Sequence, residues 1–260
     1  MEGVAKYVVP ARRRSQKVST IPSLLIFRLI TQFVNPSLIS TPELAKRNMR
    51  ALLFQIELAY WNYLDHHVAK SPSLPSCRME EFAKTMFMAI PSVCEEIGNL
   101  PEFLREWRKF KLTIPTYGAI FISPDDSHVL MVQGYSGNWS FPRGKMESGE
   151  NPEECAVREV LEEVGFDISH LIKSDEYMEN KTEERYSRLY IIKDISIDTI
   201  FKTQTISEIK EIRWFSIRDL PATMNDHRSS AVLGIKSNKF FLCHPFIGNL
   251  KKMLLPKTWR

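Results

Sequence analysis

Three glutamates, Glu159, Glu162 and Glu163, stand at positions i, i+3 and i+4 of a run that opens at Asn151 and stops before Gly165. Asn151 suits an N-cap and Pro152 the first helical position. Glu154, three residues after the cap, completes a capping box, and Gly165 suits a C-terminal stop. At about 100° per residue, with Ala156 set at zero, Val157, Val160, Leu161 and Val164 fall between about 40° and 140°. Cys155, Glu159, Glu162 and Glu163 fall between about 240° and 340°. The spacing predicts a helix over 152–164 with one core face and one row of carboxylates. Like charges so spaced repel unless something positive sits among them. A solvated acidic face is one outcome. The other is a hard divalent cation, Mg²⁺ or Mn²⁺ in preference to zinc, because all the ligands would be oxygens.

The surrounding residues choose between these. From Gly144 to Phe166 the chain reads GKMESGENPEECAVREVLEEVGF. It meets all nine positions of the pattern Gly, five residues, Glu, seven residues, Arg-Glu, apolar, any, Glu-Glu, any, Gly, apolar. This resembles the Nudix box, the signature of hydrolases that cleave nucleoside diphosphates linked to another group. The resemblance implies that Glu159, Glu162, Glu163 and the Gly144 carbonyl hold metal, and that Arg158 with Glu150 ties the loop to the helix. Such ions neutralise an anionic pyrophosphate bridge and position water for attack.

The box leaves the substrate open, and four flanking segments narrow it: FQIELAYWNYLDH (54–66), KFKLTIPTYGAI (109–120), WSFPRGK (139–145) and NKFFLCHPFIGNLKK (238–252). Together they resemble the family of mRNA decapping catalytic subunits over roughly Ile21 to Leu255. The resemblance implies hydrolysis of the 5′ cap triphosphate bridge of mRNA, with release of 7-methyl-GDP and 5′-monophosphate RNA. By its residues, Trp61 and Asp65 contact the cap base and Phe241, where family members carry a tyrosine, forms the opposite wall, with Phe240 as the neighbouring alternative. Lys236, Lys239, Lys251 and Lys252 would track RNA phosphates, and Arg143 and Lys145 beside the metal loop would touch phosphate. Glu208 matches the general base outside the box and Glu211 is its competitor. An indole stacks well on a cationic 7-methylguanine, whose edge a carboxylate can accept from. The implied partners are capped mRNA, an activator subunit on the helical domain and enhancer-of-decapping proteins. The implied location is the cytoplasm, including P-bodies. A Nudix hydrolase of small nucleotides would lack the helical domain and the basic C-terminal segment, and an RNA-binding scaffold would have no use for an intact box.

The elements that must position these groups fall into two sets. Residues 1–19 form a basic, poorly patterned arm. From Ile21 to Phe110 the signals are helical, with Thr41 as a cap, Pro42 at a first turn, and one amphipathic helix running to near Lys70. A second helix covers Met79 to Ile90 and a third Leu100 to Phe110. Beyond Thr116 the pattern turns to strands. Tyr117–Ser123 and His128–Gln133, joined by Pro124-Asp125-Asp126-Ser127, read as a hairpin, and Arg185–Ile192 and Ile209–Ile217 as later strands. The expected fold class is α+β in two domains: an all-α N-terminal regulatory domain over 20–111, a hinge at 112–116, and a Nudix α/β/α sandwich over 117–260 with a basic C-terminal helix at about 236–255. Domain closure about that hinge would gate the reaction, since Trp61 and Asp65 are remote in sequence from the carboxylates.

Composition sets the bounds. With 43% hydrophobic and 25% charged residues over 260 positions, the chain can build packed cores and is neither disordered nor collagenous. The four cysteines, Cys77, Cys94, Cys155 and Cys243, are far apart and without CxxC spacing, so neither a zinc site nor a disulfide framework is signalled and a reducing interior is expected. The apolar stretch Ile21–Val34 is interrupted by Arg28 and falls short of the roughly 20 residues of a membrane span, so no membrane association is expected. Net charge is +4, yet no acidic residue follows Asp226 while seven lysines and arginines do. A one-signed segment of that kind suits a polyanion.

Overall fold

The computed structural model describes residues 20–71, 73–183 and 185–255, so the 1–19 arm and the last two basic residues, Lys257 and Arg260, lie outside the described residues. The chain divides into two compact units at Ile97/Gly98, fifteen residues before the expected hinge at 112–116.

The first unit is helical. Helices α1 (Ser23–Phe33), α4 (Met49–Asn62) and α5 (Met79–Ala89) pack pairwise. They bury Leu29, Leu52, Leu53, Ile56, Phe82, Met86 and Phe87. The single helix expected up to Lys70 is instead three pieces: α3 (Pro42–Arg47), α4, and a π-helical turn over Tyr63–Val68. Asn48 leaves helical geometry at φ −112°, ψ 30° and donates its amide back to Leu44 and Ala45, which ends α3. Thr41 occupies the N-cap position of α3 without a side-chain bond and is also the extended C-cap of α2 (Pro36–Ser40). Tyr60 and Tyr63 pin the following loop through their hydroxyls, which donate to the carbonyls of Cys77 (2.9 Å) and Pro75 (2.6 Å).

In the second unit the expected third helix is longer. As α6 it covers Leu100–Thr113, and strand β1 (Thr116–Phe121) starts three residues later, so most of the expected hinge lies inside regular elements. The expected hairpin is corrected. Ser123 donates to His128 and Ile122 bridges Val129, but the ladder goes no further. β1 pairs in parallel with β6 (Tyr186–Ile192) and antiparallel with β4 (Arg143–Lys145). β2 (His128–Gly134) pairs with β3 (Trp139–Ser140) and β7 (Ile209–Ser216). Both strands are almost wholly apolar and buried on both faces, so each takes a central place in its own sheet, with neighbours on either side. The sheets run β4-β1-β6-β5 and β3-β2-β7, with β5 at Tyr177–Lys181.

Strand alternation sorts the core into two layers. Ala119, Phe121, Leu130 and Val132 face Val160 and Val164 of α7 (Pro152–Val164). Ile120, Ile122, Val129 and Met131 join Phe246, Ile247 and Leu250 of α9 (His244–Leu254). That is the expected helix–sheet–helix sandwich. The C-terminal helix is shorter than 236–255. Between α8 (His227–Leu233) and α9, Ser237–Phe240 is a 3₁₀ turn, held where the Ser237 hydroxyl donates to Asp226 (2.6 Å) and Phe240 sinks fully into the core. Lys236, Lys239 and Phe241 therefore precede the helix, while Lys251 and Lys252 are on it. Among the described residues no helix is long and apolar enough to cross a membrane.

Candidate active site

The carboxylate helix forms as its residues dictate. Asn151 accepts from the Glu154 amide at 3.0 Å, Glu154 accepts from the Asn151 amide at 2.9 Å, and Gly165 ends the helix at φ 68°. Its acidic row is not uniformly solvated. Glu162 keeps 41% of its side-chain exposure and Glu159 14%, while Glu163 is buried at 7%. Cys155, placed on the same face by the angular count, is fully buried, with its thiol 4.0 Å from the Gly144 carbonyl.

Strand β4 lies against this face. The Arg143 amide donates to Glu163 at 3.0 Å. A Cβ on Gly144 would lie 2.0–2.2 Å from the Glu159 carboxyl atoms, so any side chain at this approach must push that carboxylate aside. Arg158 is the brace between loop and helix. Its guanidinium donates to Glu150, to the Lys145 carbonyl (3.0 Å), to Glu159 (2.9 Å) and to Glu162 (3.4 Å). Glu150 in turn accepts the Glu147 amide at 2.9 Å.

The electrostatics are those of crowded anions. Burial pushes Glu159 up to about 7, against the opposing pull of Arg158, and it raises Glu162. Glu163 is held well above the usual carboxylate range, first by burial and then by the charges of Glu208 and Glu159. Glu208 also bears on Glu159, so a residue 45 positions beyond Glu163 comes within electrostatic reach of the carboxylate row. Its competitor Glu211 is engaged elsewhere, in an ion pair with Arg213, whose guanidinium lies 5.1 Å from the Trp139 ring centre.

Among the described residues no three histidine, cysteine or acidic side chains stand together at metal-ligand spacing. The expected trio is divided, since Arg158 takes Glu159 and Glu162 while Glu163 turns to the Arg143 amide. The donor chemistry nevertheless fits a hard dication: carboxylate and carbonyl oxygens, all three carboxylates pushed towards neutrality by burial, around a glycine cradle that a methyl group would fill.

The other expected residues divide similarly. Arg143 is half-buried, donates to the Leu242 carbonyl at 3.4 Å and lies 5.8 Å from the Phe246 ring centre, which turns its guanidinium inward. Lys145 is exposed at the rim. Phe241 is 43% exposed, whereas Phe240 is fully buried against Trp139 and Phe215, so of the two only Phe241 offers a ring face. Lys239 donates to the Ser136 carbonyl (3.3 Å) and Lys251 to the Arg218 carbonyl (3.0 Å), while Lys236 and Lys252 are exposed. In the first unit Trp61 lies on α4 with its ring 5.2 Å from that of Tyr60, and Asp65 lies on the π turn. Sequence reasoning missed Lys202–Thr205, which bonds the C-terminal end of α7. No period or motif signals it, since its partners are backbone carbonyls about forty residues away.

Residues 112–233 match the NUDIX domain family and residues 28–110 the Dcp2, box A domain family. The chain is 34% identical over 232 residues to the "mRNA-decapping enzyme subunit 2" of Arabidopsis thaliana, covering 89% of this chain and 60% of that protein. It is 34% identical over 203 residues to the "m7GpppN-mRNA hydrolase dcap-2" of Caenorhabditis elegans, with 76% and 25% covered. Against the "mRNA decapping complex subunit 2" of Schizosaccharomyces pombe it is 33% identical over 219 residues, with 84% and 29% covered. The chain thus spans 60% of the plant relative and under a third of the other two.

Proposed function

We propose, from the NUDIX domain match over 112–233 and the Dcp2, box A domain match over 28–110, that the chain is a Nudix hydrolase that cleaves the triphosphate bridge of 5′-capped mRNA, releasing 7-methyl-GDP and 5′-monophosphate RNA. The observation that supports this reading is the approach of strand β4 to the carboxylate face of α7, where the Arg143 amide donates to Glu163 at 3.0 Å and Gly144 passes so close to Glu159 that a Cβ would lie 2.0–2.2 Å from its carboxyl atoms.

Glu159, Glu162, Glu163 and the Gly144 carbonyl would hold Mg²⁺ or Mn²⁺. Bound there, the ion supplies charge neutralisation at the phosphate oxygens and polarises water. The chain's own residues do the rest. Glu208, exposed on the turn before β7, takes the proton of the attacking water. Arg158 and Glu150 keep the Gly144 loop against α7 through their ion pair. In the first unit Trp61 would stack on the cap base with Asp65 accepting from its edge, and in the second unit Phe241 would offer a ring face for stacking. Lys236, Lys239 and Lys252 attract RNA phosphates, with Lys145 at the site's rim. Partners that fit this reading are an activator subunit on the helical domain and enhancer-of-decapping proteins, with work in the cytoplasm and its P-bodies.

The test is release of labelled 7-methyl-GDP from cap-labelled RNA with Mg²⁺, Mn²⁺ or EDTA, comparing the chain with Glu163→Gln. Release that needs metal and falls at least about 100-fold in the variant is expected. Cleavage of nucleotide sugars or free cap dinucleotide in preference to capped RNA would overturn the substrate assignment.

A further inference from the structure

The last turn of a helix leaves carbonyls that its own backbone does not satisfy. In α7 the Leu161 carbonyl accepts the Gly165 amide at 2.9 Å, but two others are served from outside. The Lys202 amide donates to Val164 at 2.9 Å and the Gln204 amide to Glu162 at 2.8 Å. The Thr203 hydroxyl reaches that same Glu162 carbonyl at 3.3 Å, and the Thr205 hydroxyl reaches it at 3.5 Å. The two hydroxyls are 3.2 Å apart, and Thr203 Oγ1 accepts the Thr205 amide at 3.0 Å. The fit is close: a Cβ on Gly165 would meet the Lys202 carbonyl oxygen at 2.2 Å.

The same turn goes on to hold Glu208. The amides of Glu208 and Ile209 both donate to the Thr205 carbonyl at 3.0 Å, and the Tyr135 hydroxyl donates to the Ile206 carbonyl at 2.9 Å. An unbroken chain of bonds therefore runs from the backbone of Glu162, through Thr203 and Thr205, to the backbone of Glu208. A carboxylate on an exposed turn needs such a tether, since proton transfer demands placement within about 3 Å of the reacting water and surface turns otherwise open locally. A threonine hydroxyl can donate to one carbonyl and accept an amide at once, which no apolar residue of its shape can do.

We propose that Thr203, with Thr205, is a positioning pair that sets Glu208 in register with the carboxylates of α7. The inference rests on the hydrolase reading above and on Glu208 as its base. Thr203→Val keeps the shape and removes the hydroxyl, while Thr203→Ser keeps the hydroxyl. On capped RNA with saturating Mn²⁺, Thr203→Val is expected to lower kcat about tenfold or more with KM within about twofold, and Thr203→Ser to stay near the parent. In a Glu208→Gln background Thr203→Val should cost nothing further, because its effect passes through a base already removed. In metal-free protein, amide hydrogen exchange at Gln204 and Glu208 should quicken in Thr203→Val and not in Thr203→Ser, with the thermal midpoint nearly unchanged. A fully additive loss in the double variant would overturn the proposal, as would parental kcat with parental exchange. If the parent cleaves no capped RNA the hydrolase reading itself fails, and the exchange comparison still decides whether Thr203 orders the Glu208 turn.

Discussion

Glu163 is buried beside other carboxylates and accepts the Arg143 amide, a weak offset for a charge taken out of water. Its pKa lies well above the ordinary 4.5, so above that pH the folded state binds a proton that the unfolded chain has released. Stability of the metal-free protein should therefore fall as pH rises through the folded pKa. Glu163→Gln removes that cost and leaves an oxygen for the Arg143 amide. In EDTA at pH 8 it is expected to be more stable than the parent, and the gain should vanish below pH 4.5, where the carboxyl is neutral in both states. Urea melts at the two pH values check this, and equal stability at pH 8 would refute it. Gly144→Ala makes the opposite contrast. The added methyl collides with the Glu159 carboxylate, the end of a jointed side chain that can swing away. Stability should change by about 1 kcal/mol, while on the proposed activity cap hydrolysis should fall about 100-fold as the carboxylate leaves its place. Single-turnover rates beside a thermal melt separate the two effects.

Helix α7 shows what a cap contributes to a working element. Asn151→Ala removes the acceptor for the Glu154 amide and should cost about 1 kcal/mol, read as a lower urea midpoint, with kcat of the folded enzyme close to the parent. A loss of kcat without a loss of stability would mean that Asn151 acts on the chemistry directly. This element was legible to the residue because cap, first-turn proline, period and terminal glycine all agree on Pro152–Val164. Elsewhere the local signals were true and the inference from them was not. Ser123 to Ser127 does turn the chain, but the long pairings of β1 and β2 are with strands about seventy to ninety residues further on, which no local turn chemistry reports. The break at Asn48 and the π turn at Tyr63–Val68 lie inside a continuous apolar pattern, where packing of α4 against α1 and α5 overrides the period. The candidate site divides along the same line. The box carboxylates could be read from spacing, whereas the approach of Glu208 to them depends on a loop tied to backbone carbonyls, which carry no side-chain identity.

At the scale of the whole chain the salient asymmetry is charge: the seven lysines and arginines after Asp226 face no acidic residue in that segment, in a chain whose net charge is +4. Such a segment attracts a polyanion by releasing its counterions, so affinity for RNA should fall steeply with salt. Its cations are not equivalent. Lys236 is exposed at the start of the 3₁₀ turn, ready to meet a phosphate. Lys251 is half-buried, its ammonium donates to the Arg218 carbonyl at 3.0 Å, and burial lowers its pKa, all of which fit it to join α9 to the body of the second unit. Lys236→Ala is therefore expected to reduce the slope of log affinity against log salt by about 0.7, the value of one single-strand phosphate contact, at unchanged stability. Lys251→Ala should leave the slope unaltered and lower the urea midpoint. Fluorescence anisotropy on an uncapped RNA from low to moderate salt measures the slopes free of any contribution from the cap. Equal slopes for Lys236→Ala and the parent would show that the exposed charge serves solubility alone, and a reduced slope for Lys251→Ala would show that its ammonium leaves the carbonyl to meet RNA.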